Sequence, residues 1–183
     1  RTTRYRIALE RRKLIYKYRS KRQPRPKVFY AGILHSVLYG AEMAPPNHQQ
    51  MRTLRHWAVR TQGLPTYGLL KEAIFAVLPL KDDPLYHAAA APITRWCKEV
   101  WHATMTDAPP GALPLQTLRL AFQATEPDWT AWLHGTGPQP RDPINAARWG
   151  AWCAGMEFTD FTHLRATNKD NSTTPDDLLT TCP

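Results

Sequence analysis

Apolar residues recur at helical intervals through most of the chain, and prolines cut the pattern into short pieces. In the first piece Ile7, Leu14 and Tyr18 recur at near-helical spacing, with Ala8, Leu9 and Ile15 beside them. This predicts a basic helix from Thr3 to about Lys21. It must stop before the stretch RQPRPK, because Pro24 and Pro26 force their predecessors out of the α region. Pro26 suits the start of a second helix, Lys27 to about Met43, with Val28, Ile33, Leu34, Val37, Leu38 and Ala41 as its apolar stripe. The Pro45-Pro46 pair breaks it. Asn47 is the N-cap expected for a third helix, His48 to about Gln62, with Met51, Leu54, Trp57 and Ala58 inward and Gly63 as its stop. Pro65-Thr66 opens a fourth, to about Leu78, with Leu69, Leu70, Ile74 and Val77 inward. Asp83-Pro84 caps a fifth, which runs to about Ala103 and is expected to bend or break at Pro92.

The stretch TDAPPGALPLQ, Thr106 to Gln116, is a turn-rich boundary. A sixth helix follows, Leu115 to about Ala124. Between Glu126 and Pro143 four prolines predict a loop around a short Trp129–Leu133 turn. A last helix runs from about Pro143 to Ala154. After Asp160 the chain turns polar, and TNKDNSTTPDD has the composition of a disordered tail. No run of alternating β-branched residues marks a strand, and no internal repeat is present. The expected class is all-α: a bundle of about six or seven short helices with Pro-marked joints and a disordered C-terminal tail. The expected organisation is a basic helical arm (1–27), a helical domain (28–106), a smaller helical connector (107–160) and a polar tail (161–183).

Charge sharpens this picture. Between Arg1 and Lys27 there are twelve Lys and Arg residues and only Glu10 against them, so the arm carries +11 and the remainder −2. The excess of +9 is therefore concentrated in one arm, which points to a polyanionic partner. Nucleic acid comes first and an acidic membrane surface second; a solvated tail or nuclear-import signal is the plainer alternative. With 43% apolar residues in 183, the chain can bury a real core. No apolar run approaches the roughly 18–20 residues of a membrane span. The polar, basic start is not a signal peptide, and Tyr5, Tyr16, Tyr18 and sparse Ser suit a transit peptide poorly. The chain opens on Arg1 and is read as a piece of something longer. Three widely spaced cysteines, Cys97, Cys153 and Cys182, argue against a disulfide framework and fit a reducing, intracellular setting, cytoplasm or nucleus.

Self-sufficient catalytic signatures are missing. The seven histidines and three cysteines form no CxxC, HxxxH or HExxH pattern, so neither a metal site nor a cofactor is expected. Cys97 has Arg95 and Lys98 nearby, which could lower its pKa, but a small core residue among tryptophans is the simpler role. Two-metal polymerase chemistry needs clustered acids; Asp82-Asp83 precede a Pro-led helix, where capping accounts for them, and Asp176-Asp177 lie in the tail. Gly63 and Gly68 are too isolated for a phosphate loop. Trp96/Trp101, Trp129/Trp132 and Trp149/Trp152 form pairs that could stack on bases, although packing between helices is the commoner use.

The order of elements adds a resemblance. PRPKVFYAGILHSVLYGAEM followed by MRTLRHWAVRTQG resembles the segment just after the polymerase core of non-LTR (LINE-type) retrotransposon reverse transcriptases. There a basic helix, a short Pro turn, a helix ending in a "vLpxalYGaE" pattern and a further basic helix follow one another. Leu34, Val37, Leu38, Tyr39, Gly40, Ala41 and Glu42 carry the match, then Leu54, Arg55 and Gly63. Ser36-Val37 replaces the family's Pro, and Met43 stands where Trp or Pro follows the Glu. GALPLQTLRLAFQATEPDW resembles a "GPxxxLxxxLxxLGW" region of protist elements, with Thr125–Trp129 in place of LGW. The resemblance covers about Arg4 to Gly63 well and the rest loosely. It implies a thumb and connector that grip template–primer without catalytic acids, those residing in an upstream polymerase domain of the same protein. The expected partner is an RNA–DNA hybrid or duplex, with no membrane and no cofactor. The expected phosphate ligands are Arg11, Arg12, Lys13, Lys17, Arg19, Lys21, Arg22, Arg52 and Arg55. The competing reading is a helical protein-interaction module with a basic nuclear-targeting arm.

Overall fold

The computed structural model describes residues 2–17, 25–62, 71–167 and 176–177. The chain is mostly helical and divides into two compact units, 1–39 with 46–87, and 40–45 with 88–183.

The first unit opens on α1 (Thr2–Lys17). A composite helix follows, of α2 (Arg25–Val28), a π-helical segment (Phe29–Leu34) and α3 (His35–Leu38). A π turn carries one more residue than an α turn, which brings Phe29 and Leu34, five apart, toward one face together with Ile33. All three are buried. α1 packs on the π segment and α3, and α2 and the π segment pack on α4 (His48–Thr61). α4 starts at its expected N-cap, and Gln50 completes a capping box: Asn47 Oδ1 accepts from Gln50 N at 2.8 Å and Gln50 Oε1 from Asn47 N at 3.2 Å. α5 (Lys71–Val77) packs against α4 and supplies Ile74 and Phe75 to the buried set with Met51, Leu54, Trp57, Ala58 and Val59. A single 3₁₀ turn (Leu80–Asp82) leads to α6 (Pro84–His102). There Asp83 Oδ1 accepts from Leu85 N at 2.9 Å, so Asp83 caps the helix as expected.

The second unit takes most of α6 and adds α7 (Leu115–Ala124), α8 (Glu126–Leu133), α9 (Pro143–Cys153) and a small antiparallel sheet. β1 (Met156–Asp160) pairs with β2 (His163–Ala166), with Phe158 opposite Leu164 and an irregularity between Phe158 and Asp160. The two-residue β3 (Asp176–Asp177) pairs with β2. The core joins Trp96 and Val100 of α6 to Leu118, Phe122, Ile144, Ala147, Ala151, Phe161 and Leu164. Trp96 Nε1 donates to the Phe161 carbonyl at 3.0 Å, so its one polar atom is satisfied. α9 comes so close to α6 that a Cβ on Gly150 would lie 2.4 Å from the Ala89 carbonyl oxygen. Glycine is required there by close approach.

Several expectations are corrected. The second helix stops at Leu38, not Met43: Tyr39 leaves the helical region and Gly40 takes φ +76° in a turn over residues 39–43. Pro92 does not interrupt α6, which is one helix from Pro84 to His102. The Trp129–Leu133 turn belongs to a full helix, because Pro127 sits in the first turn, where its missing N–H costs nothing. The two compact units divide within α6, whose Trp96 and Val100 share a core with residues of α7, α9 and the hairpin. Residues 161–167 are not tail: Phe161, Thr162 and Leu164 are buried around the β1–β2 hairpin. The fourth helix is described from Lys71; its predicted start at Pro65-Thr66, with Leu69 and Leu70, lies outside the described residues.

Candidate nucleic-acid interface

Charge divides between the two units more sharply than along the sequence. The first unit holds 17 Lys and Arg against four Asp and Glu, a net +13. The second holds seven against 11, a net −4.

α1 is the main carrier. Its buried face is centred on Ala8, with 0% exposure, while its neighbour Ile7 is 43% exposed. Arg12, one turn after Ala8, is half-buried, and its guanidinium carbon lies 5.0 Å from the centre of the Trp57 ring. Arg6, Glu10 and Lys13 recur at helical spacing, and all are exposed. Lys13 Nζ pairs with Glu10 at 2.9 Å, an exposed bridge of the weak kind that a phosphate can displace. Arg11 is also exposed and donates through Nη1 to the Gly32 carbonyl at 3.3 Å. Lys17 is the last residue of α1. Arg19, Lys21 and Arg22 lie outside the described residues.

On α4 the two expected ligands part. Arg52 is exposed. Arg55 is turned to structural use: Nε donates to Asp83 Oδ1 at 3.1 Å and Nη2 to Oδ2 at 3.0 Å, a two-point fork. Its guanidinium also lies over the Phe75 ring at 4.8 Å. Arg55 and Arg12 are thus both engaged in packing contacts within the unit. Exposed Arg6 and Lys27 are further candidate ligands; their place in a basic run is the only sequence signal for them. Beside this cluster the Tyr30 hydroxyl donates to the Asp82 carbonyl. Burial, and then the charge of Asp82, pushes its pKa well above the usual tyrosine value, so it stays a neutral donor.

The "LYGAE" stretch is mixed: Ala41 is buried, Leu38 and Gly40 are half-buried, and Tyr39 and Glu42 lie at the surface. Tyr39 is 69% exposed, and Glu42 is exposed. A Cβ on Gly40 would meet nothing within 4 Å, so its need is the positive φ and not the approach of another backbone.

The second unit holds its cations differently. Arg148 is buried, donates to the Phe122 carbonyl at 3.1 Å, pairs with Glu126 at 2.5 Å and lies over the Phe122 ring at 3.9 Å. Burial lowers its pKa and Glu126 opposes that shift. It ties α7, α8 and α9 together. Arg95, a basic neighbour of Cys97, is paired with Glu99 at 2.6 Å. Cys97 and Cys153 are both half-buried, and burial pushes the Cys153 thiol up to about 12. Among the described residues no three His, Cys, Asp or Glu side chains could hold a metal ion, and no helix is long and apolar enough to cross a membrane.

The tryptophans split. Trp96 is core. On α9 Trp149 is 7% exposed and Trp152 54%. Trp129 and Trp132 stack at 5.0 Å and 25°, and Trp152 meets Trp132 edge-on at 5.7 Å and 88°. No family model, curated protein or solved structure matches the chain.

Proposed function

We propose that the chain is the noncatalytic, template–primer-gripping portion of a retrotransposon reverse transcriptase. Its first unit holds an RNA–DNA hybrid or duplex through phosphate contacts. An upstream polymerase domain of the same protein supplies the catalytic acids, and the protein works inside the cell, in cytoplasm or nucleus. The observation that carries this reading is the segregation of charge: 17 basic residues against four acidic ones in one unit. Arg6, Arg11 and Lys13 are exposed on one helix, while Arg12 holds that helix to α4 through Trp57. Such an arrangement suits phosphates, which need positive charge along a rigid element and carry no sequence information. The order of basic helix, Pro turn, "LYGAE" and basic helix supports the assignment to the reverse-transcriptase family. The test is anisotropy of a fluorescent RNA–DNA hybrid titrated with the intact chain at low salt. Binding with little sequence preference is expected; its absence overturns the proposal.

A further inference from the structure

The Trp129–Trp132–Trp152 cluster plays no part in gripping phosphates and sits in the acidic unit. Helix α8 contributes no buried residue to the core, yet it presents two tryptophans. Helix α9 buries Trp149 at 7% and leaves Trp152 at 54% exposure three residues later. Indoles are large apolar groups whose exposure in company marks a surface of contact. Two half-buried rings stacked at 25° and the exposed Trp152 ring at 88° to the second make an aromatic corner.

The surrounding charge says what fits it. α8 carries Glu126 and Asp128 and no Lys or Arg. Asp128 is exposed and four residues before Trp132, so the carboxylate and the ring are neighbours on one helical face. Arg148, the cation of α9, is buried against Glu126, while Arg119 of α7 and Arg141 ahead of α9 are exposed; the unit as a whole still carries a net −4. A polyanion would meet Asp128 beside the rings. A guanidinium would find both the negative face of an indole and a carboxylate. We infer that this cluster is a docking surface for an arginine-bearing segment of a partner protein, independent of the nucleic-acid grip.

The test uses the full chain and a fluorescein-labelled peptide of alternating Arg and Gly. Controls are the same peptide with Glu for Arg, and a labelled single-stranded oligothymidylate. The basic first unit repels the Arg peptide, so binding reports on the second. The Arg peptide should bind and the Glu peptide should not. Trp152→Ala should weaken Arg-peptide binding roughly fivefold, and Asp128→Asn, an exposed change that leaves the rings in place, roughly two- to threefold. Oligothymidylate binding should be the same in both variants as in the parent. Equal binding of the two peptides, no peptide binding, or unchanged affinity in both variants overturns the inference. Loss of oligothymidylate binding in Trp152→Ala with peptide binding intact overturns it in favour of a base-stacking platform.

Discussion

The guanidinium of Arg12 lies 5.0 Å from the centre of the Trp57 ring, and Trp57 is itself almost fully buried. One of the most basic stretches of the chain thus spends a cation on packing. Arg12→Ala should lower stability to urea by about 1–2 kcal/mol, through lost stem packing and cation–π attraction. It should leave the salt dependence of nucleic-acid binding unchanged at concentrations where the variant is folded. Removing the whole arm is a poor experiment by comparison, since it uncovers Trp57 together with the charge.

Asp83 serves two groups, the Arg55 fork and the first turn of α6. Asp83→Ala should therefore cost about 3 kcal/mol in chemical denaturation, more than either role alone. Asp83→Asn keeps a capping oxygen and should cost about half as much. A cycle with Arg55→Ala should show clear coupling, because Ala at both positions no longer strands a guanidinium.

Gly150→Ala places a methyl 2.4 Å from the Ala89 carbonyl, a backbone atom that cannot swing aside. The helices must separate, and thermal unfolding should register a loss of about 1–3 kcal/mol. Gly40→Ala meets no neighbour but must hold φ +76°, so it should cost about 1 kcal/mol by backbone strain alone.

The Cys153 thiol is raised from 9.0 to about 12 by burial. Below pH 9 it is protonated in both folded and unfolded chains and affects nothing. Above that the unfolded chain loses its proton first, so stability falls as pH rises toward 12. The drop in urea midpoint between pH 8 and pH 10 should be smaller in Cys153→Ala than in the parent. At pH 8 the native thiol should resist iodoacetamide and react on unfolding.

Legibility in the sequence followed the range of the interactions. The Asn47 N-cap, the Asp83 cap and the helix from Leu115 to Ala124 are local, and each could be read directly. The hairpin was hidden because β1 and β2 are short and lack β-branched runs; the alternation of Met156 and Phe158 with Glu157 and Thr159 was its one signal. α8 was hidden by Pro127, which looks like a breaker but starts the helix. The choice of Ala8 over Ile7 as the buried position depends on what α1 packs against, and the fate of Arg55 on a partner 28 residues away. Neither is written in local periodicity. The basic character of the first unit was legible from charge counts; which of its cations face outward was not.

The most direct test of the central claim is the slope of log affinity against log salt for an RNA–DNA hybrid. It should be measured for the intact chain, for Arg6→Gln/Arg11→Gln/Lys13→Gln, and for a control with Arg95, Arg119 and Arg141 changed to Gln in the second unit. Each lost phosphate contact should flatten the slope by roughly 0.9. If the first unit grips phosphates, the slope flattens by roughly 2–3 in the α1 variant and not in the control. Equal slopes in all three proteins, or flattening in the control alone, would contradict it.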